Sequence, residues 1–183
     1  MSLIVEDGTV VPGAESYIAV ADADQYHSDR ANTAWATLDE PSKEASLRKA
    51  TDYMVSEYRE SWKGNRINLN QVLDWPRVAV FLDDFGNYGA VPANIVPVPV
   101  MRACAELALR ASTGELAPDL QRAAIMKKVG PIEVTYRPGA REFTKFRAVD
   151  NLLSPYMMGG GNMTRVVRAL TGASSRNRAR WKS

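Results

Sequence analysis

The chain of 183 residues contains one cysteine, Cys104, and one histidine, His27. A single cysteine excludes an internal disulfide and any cysteine-rich zinc site, and a single histidine excludes the two-histidine metal sites and their zinc-protease variants. Pairing the two as nucleophile and base would require a thiol set in the apolar helical stretch VMRACAELALRA to meet an imidazole expected at the surface. Long apolar runs are missing too: none reaches about 18 residues, which leaves no candidate membrane span. The start MSLIVEDGTVV lacks the basic residues and apolar stretch of a signal peptide, so synthesis in the cytoplasm is expected. GGGNMTR at 159–165 has the glycines of a phosphate loop but not its lysine and hydroxyl pair, and it follows a helical pattern instead of a strand. Asp83 and Asp84 read as solvated loop acids. The inventory therefore points away from an enzyme and implies no cofactor and no metal.

Acid is scarce toward the C-terminal end. Residues 1–60 carry 12 acids and 5 bases, a net of −7, whereas residues 121–183 carry 3 acids and 13 bases, a net of +10. Oppositely charged ends suit head-to-tail contact between copies, or an acidic partner at the basic end. From Asn162 onward there is no acid, while Arg165, Arg168, Arg176, Arg178, Arg180 and Lys182 accompany Trp181. Such a tail can neutralise phosphates while its indole stacks on a base, or it can engage an acidic protein surface.

What the chain does have, 45% hydrophobic residues, is enough for one ordinary core. A short helix is expected in ADADQYHSDRA. A second, of about five turns, opens at Asp39 as N-cap, places Leu47, Ala50, Met54 and Tyr58 at helical spacing, and closes on Gly64 as a left-handed cap. A third follows Pro97 or Pro99 and carries the stripe Val100, Ala103, Cys104, Leu107, Ala108 and Ala111; a fourth spans roughly Ala148 to Met158. Between the second and third, residues 66–99 read as an extended arm, because Pro92, Pro97 and Pro99 argue against a central strand. Within that arm QVLDWPR is expected to run extended before Pro76, with Leu73, Trp75 and Arg77 on one face, the indole over the core and Arg77 beside it as a cation–π neighbour. KKVGPIEVTYRPG alternates Ile132, Val134 and Tyr136 against polar residues, a strand that must pair with AIMKKV as a hairpin near 124–137, with a later segment, or with another subunit. The fold class is mainly α: a small helical bundle of about four helices, with a long inter-helix loop and a short β-strand or hairpin, over 1–158. A glycine-hinged basic tail occupies 159–183.

The ordered set VEDGTVVPGAESYIAVADADQYHSDR, ATDYMVSEY, QVLDWPR, VPVPVMRACAELALRA, KVGPIEVTY and AVDNLLSPYM covers residues 4 to about 158. In this order and spacing the chain resembles the head–tail connector (adaptor) proteins of tailed bacteriophages, including members labelled DnaT-like single-stranded DNA-binding proteins. The resemblance implies a connector-like, non-catalytic virion protein at the neck, forming a ring of commonly twelve copies between the capsid portal and the tail and continuing the DNA channel. The partners it implies are other copies of the chain, the portal protein, a tail-completion or tail-terminator protein, and the genomic double-stranded DNA passing through, with no membrane. Leu73, Trp75, Pro76 and Arg77 would then brace the loop by which neighbours interlock, Ile132, Val134 and Tyr136 would suit intersubunit pairing, and the basic tail would order on the portal. The alternative is a single-stranded DNA-binding replication accessory protein, using the tail together with Lys127, Lys128, Arg137, Arg141, Lys145 and Arg147.

Overall fold

The computed structural model describes residues 2–84, 87–118, 126–129, 132–135 and 145–159. Asp39 opens the longest helix: its backbone is extended, its carboxylate accepts from Ser42 N at 3.1 Å, and Pro41 stands in the first turn, where no intrahelical donor is lost. This helix, α3 (Glu40–Tyr58), follows α1 (Val20–Ser28) and the single turn α2 (Thr33–Ala36). It precedes α4 (Val98–Ala111) and α5 (Arg147–Leu153), which runs into a 3-10 turn, Ser154–Tyr156. Helix α4 touches α1, α3 and α5 and buries Val100, Ala103, Cys104, Ala105, Leu107, Ala108 and Ala111, so it is the axis of the core. Cys104 is wholly buried, with its Sγ 3.4 Å from Thr51 Oγ1, and burial pushes its thiol pKa up. No helix among the described residues is long and apolar enough to cross a membrane.

The small, mainly helical domain carries more sheet than its sequence pattern suggests. Among the described residues three separate antiparallel pairs occur: β1 (Asn65–Arg66) with β2 (Arg77–Val78), β3 (Phe81–Asp84) with β4 (Asn87–Ala90), and β5 (Met126–Val129) with β6 (Ile132–Thr135). The extended arm over 66–99 is thus corrected to a short ladder followed by a hairpin, whose backbone groups bond each other before the prolines at 92, 97 and 99 begin. The cap on α3 is corrected as well. That helix ends at Tyr58, and Gly64, at φ +67°, serves a close approach instead: a Cβ there would stand 2.2 Å from Val78 O.

QVLDWPR forms a buried knot, not an extended face. The side chains of Leu73, Asp74, Trp75, Pro76 and Arg77 are all buried, and the Trp75–Pro76 peptide is cis. Asp74 turns inward because its N–H donates to Tyr17 Oη at 3.0 Å and its Oδ1 accepts from Arg59 Nε at 3.1 Å. Gln71 ties the loop: its Oε1 accepts from the N–H of Ile67 and Asn68, and its Nε2 donates to Leu73 O and Pro76 O. The expected cation–π contact gives way to hydrogen bonds. Arg77, 6% exposed, donates to Lys63 O at 2.8 Å, Gly64 O at 2.7 Å and Asp74 O at 3.2 Å, because its five-donor fork reaches three carbonyls of the loops around it.

Trp75 itself, 0% exposed, lies in a column of edge-to-face rings: Tyr58–Trp62 at 6.0 Å, Trp62–Trp75 at 5.7 Å and Trp75–Tyr156 at 5.7 Å. The backbone follows the rings, since Lys63 N donates to Tyr156 O and Met158 N to Ser61 O. The exit of α3, the 67–80 loop and the C-terminal turn therefore form one unit.

His27 is not at the surface. It shares the buried face of α1 with Ala23, four residues earlier, and the ring is 1% exposed, packed at 4.7 Å against Trp35. Its Nε2 lies 3.1 Å from Ala105 O and its Nδ1 3.0 Å from Asn32 Nδ2. That pattern fits the neutral ring, with Nε2–H donating to the carbonyl and Nδ1 accepting from the amide. Burial lowers the imidazole pKa below its ordinary 6.5. The unfolded chain therefore takes up this proton first as pH falls, so the contribution to stability is complete above about pH 6.5 and is lost as pH drops toward the folded pKa. Urea melts from about pH 7 to about pH 5 should show falling stability in the parent protein and a shallower dependence in His27→Gln; parallel curves would show that His27 does not carry it.

The knot yields a second expectation. Arg77→Met strands three carbonyls and removes the charge facing Asp74, and should cost about 3 kcal/mol in thermal or urea unfolding. Arg77→Lys should recover only part, because an ammonium cannot span the three acceptors; full recovery would show that charge alone matters.

Candidate nucleic-acid interface

Those residues singled out in the sequence that the structure describes do not converge on one surface. Leu73, Trp75, Pro76 and Arg77 are buried within the chain's own core. Ile132 and Val134 lie in β6, paired in register with Val129 and Lys127, so the strand takes its partner from the preceding segment. Lys128 pairs with Glu133. Lys145 and Arg147 are exposed at the start of α5. Tyr136, Arg137, Arg141 and the tail residues Arg165, Arg168, Arg176, Arg178, Arg180, Trp181 and Lys182 fall outside the described residues.

The feature that sequence reading passed over is the β3–β4 hairpin. Val80 at its root is wholly buried, its carbonyl accepts from Val91 N at 2.9 Å, and Leu82 is half-buried against the core. Strand alternation then turns Phe81 and Asp83 the other way. Their cross-strand partners are Ala90 and Tyr88, which share that face. Phe81 is 63% and Tyr88 76% exposed, and they are diagonal neighbours across the ladder, about 7 Å apart by strand geometry. Two large aromatics with open faces thus stand on a ribbon anchored from beneath. The signal was present in VAVFLDDFGNYGA, an alternation broken by a glycine turn, but the prolines that follow mask it.

A cation marks the base of this ribbon. The Lys63 ammonium donates to Pro155 O at 2.8 Å and lies 3.4 Å from Phe81 O. Toward the tip the charge reverses, because Asp83 stands opposite Tyr88. The arrangement offers π-faces flanked by one positive and one negative end. A polymer with flat rings and an anionic backbone fits it if the backbone keeps to the lysine side.

No curated protein and no solved structure matches the chain. Residues 1–169 match the family described as "Putative DnaT-like ssDNA binding protein", and no head–tail connector family matches. This corrects the connector reading, which made the chain a ring between portal and tail; the match points instead to a DNA partner and to the second reading of the sequence. The match ends at Ala169, so Arg165 and Arg168 lie inside it and Arg176, Arg178, Arg180, Trp181 and Lys182 beyond it. The description is that of a binding protein and not of an enzyme. With nearly its whole length matched, the chain belongs to this DnaT-like single-stranded DNA-binding family.

Proposed function

We propose that the protein binds single-stranded DNA as a replication accessory factor, stacking bases on Phe81 and Tyr88 and holding phosphates with its basic C-terminal third. The observation that carries this reading is the family match over residues 1–169. The exposed aromatic pair supports it: rings this open contribute little to the core, and every base has a π-face that such rings accept without regard to sequence. Charge supports it as well, since residues 121–183 have a net of +10, with Lys127, Lys128, Lys145, Arg147 and the tail among the donors. The strand's backbone follows the Lys63 side while its bases turn onto the rings. Recognition is tolerant of base sequence, because stacking uses the π-face that every base carries.

Fluorescence anisotropy with a labelled oligonucleotide of about 16 nucleotides tests this at several salt concentrations. If the six cations of the tail engage phosphates, log affinity should fall with log salt at a slope of about −4. The Phe81→Ala/Tyr88→Ala double variant should lose about 2 kcal/mol or more, roughly thirtyfold in affinity, while its circular dichroism and melting stay those of the parent. Salt-independent binding, or a double variant of parental affinity, overturns the proposal.

A further inference from the structure

A second site lies between the C-terminal half of α3 and the α5 region. Tyr53, Glu57 and Tyr58 form one wall of a cavity of about 320 Å³, and Phe146, Asp150 and Met157 form the other. Of the residues that line it, the DNA reading uses Lys145 alone. Its walls are aromatic: Tyr53 stands edge-on to Tyr58 at 6.1 Å and to Phe146 at 5.6 Å. Its polar lining comprises the carboxylates of Glu57 and Asp150, the hydroxyl residues Ser61 and Ser154, and Lys145. Asp150 Oδ1 accepts from Tyr58 Oη at 2.9 Å, which fixes that carboxylate's orientation, and Glu57 is exposed at the mouth. Lys145 also lines the cavity and offsets one of the two negative charges, leaving a net of −1.

Each wall excludes a class of ligand. Phosphates and carboxylates are repelled by two acids against one lysine. A bare metal ion finds too few oxygen donors and a space far larger than its coordination shell. A neutral apolar molecule gains nothing from the acids. A cation with a flat face does gain: ring faces attract it, and a carboxylate can bond it through two parallel N–H groups. A guanidinium meets both conditions, whereas an ammonium is a point charge that meets only the first. The Tyr53 hydroxyl reports the same field: its pKa is pushed up to about 12, first by burial and then by the charges of Glu57 and Asp150.

We infer that this cavity is a binding site for an arginine side chain, with the guanidinium held between the ring walls and the carboxylates of Glu57 and Asp150. Two sources supply that chemistry. One is the chain itself, since Gly159 lines the cavity and five arginines follow between positions 165 and 180. The other is an arginine of a partner protein.

Titration of the isotopically labelled full-length protein with N-acetyl-arginine amide, followed by NMR, tests the assignment, and N-acetyl-citrulline amide provides a neutral probe of the same shape. Saturable shifts at Tyr53, Phe146 and Met157 are expected with the arginine probe, with at least tenfold weaker binding of citrulline and about fivefold weaker binding of arginine to Glu57→Gln. A second protein, with Arg165, Arg168, Arg176, Arg178 and Arg180 all changed to glutamine, separates the sources. Tighter probe binding by this variant than by the parent assigns the site to the chain's own arginines, and equal binding assigns it to another molecule's. Absence of saturable binding in both proteins, or equal binding of arginine and citrulline, overturns the inference.

Discussion

The column of rings from Tyr58 through Trp62 and Trp75 to Tyr156 is the contact on which the rest of the architecture hangs. Its members come from the end of a helix, a loop with little regular structure and a 3-10 turn near the other end of the described chain. None of these segments is stable alone. Edge-to-face contacts contribute about 0.5 to 1.5 kcal/mol each beyond the burial of the rings, and the burial itself is larger. The column carries a cost, since the indole N–H groups of Trp62 and Trp75 are buried with no hydrogen-bond partner among the described residues. Shape and area, not hydrogen bonding, hold these tryptophans in place.

Around the rings runs a polar girdle that turns packing into direction. Gln71 closes the loop on itself, and Asp74 is drawn between Tyr17 and Arg59. Arg77 fastens the strand after the loop to the carbonyls just past α3. Gly64 permits the backbone approach that this fastening requires. The hairpin that follows leaves the body from a fixed base, and the face carrying Phe81 and Tyr88 is set by the burial of Val80 and Leu82 on the other side. The exposed rings owe their presentation to groups that never touch solvent.

The helices were legible because their signals are local. Asp39 with Pro41, the apolar stripe after Pro97, and Val149 with Leu153 each follow helical spacing over a short window, and α3, α4 and α5 form where those windows lie. Gly64 was misread for the opposite reason: its positive φ answers to Val78, 14 residues on, and not to the helix before it. His27 looked exposed because its neighbours Asp22, Asp24, Gln25 and Asp29 are polar, while the partners that bury it, Trp35 and Ala105, are distant in sequence. The aromatic pair of the hairpin went unnoticed because rings in an apolar stretch are ordinarily packed, and only the placement of Val80 and Leu82 decides which way Phe81 turns. The family resemblance misled about role while the residues carrying it were those of the fold.

Helix α4 touches three other helices through a face made largely of Ala103, Cys104, Ala105, Ala108 and Ala111. Small side chains there set the gauge of the whole bundle, because one added methylene would press on several neighbours at once. The outward positions of the hairpin bear no such load. Sequence change is thus confined where the helices meet and open where the ribbon faces solvent, so the surface that meets a ligand can be rewritten over generations without renegotiating the scaffold beneath it.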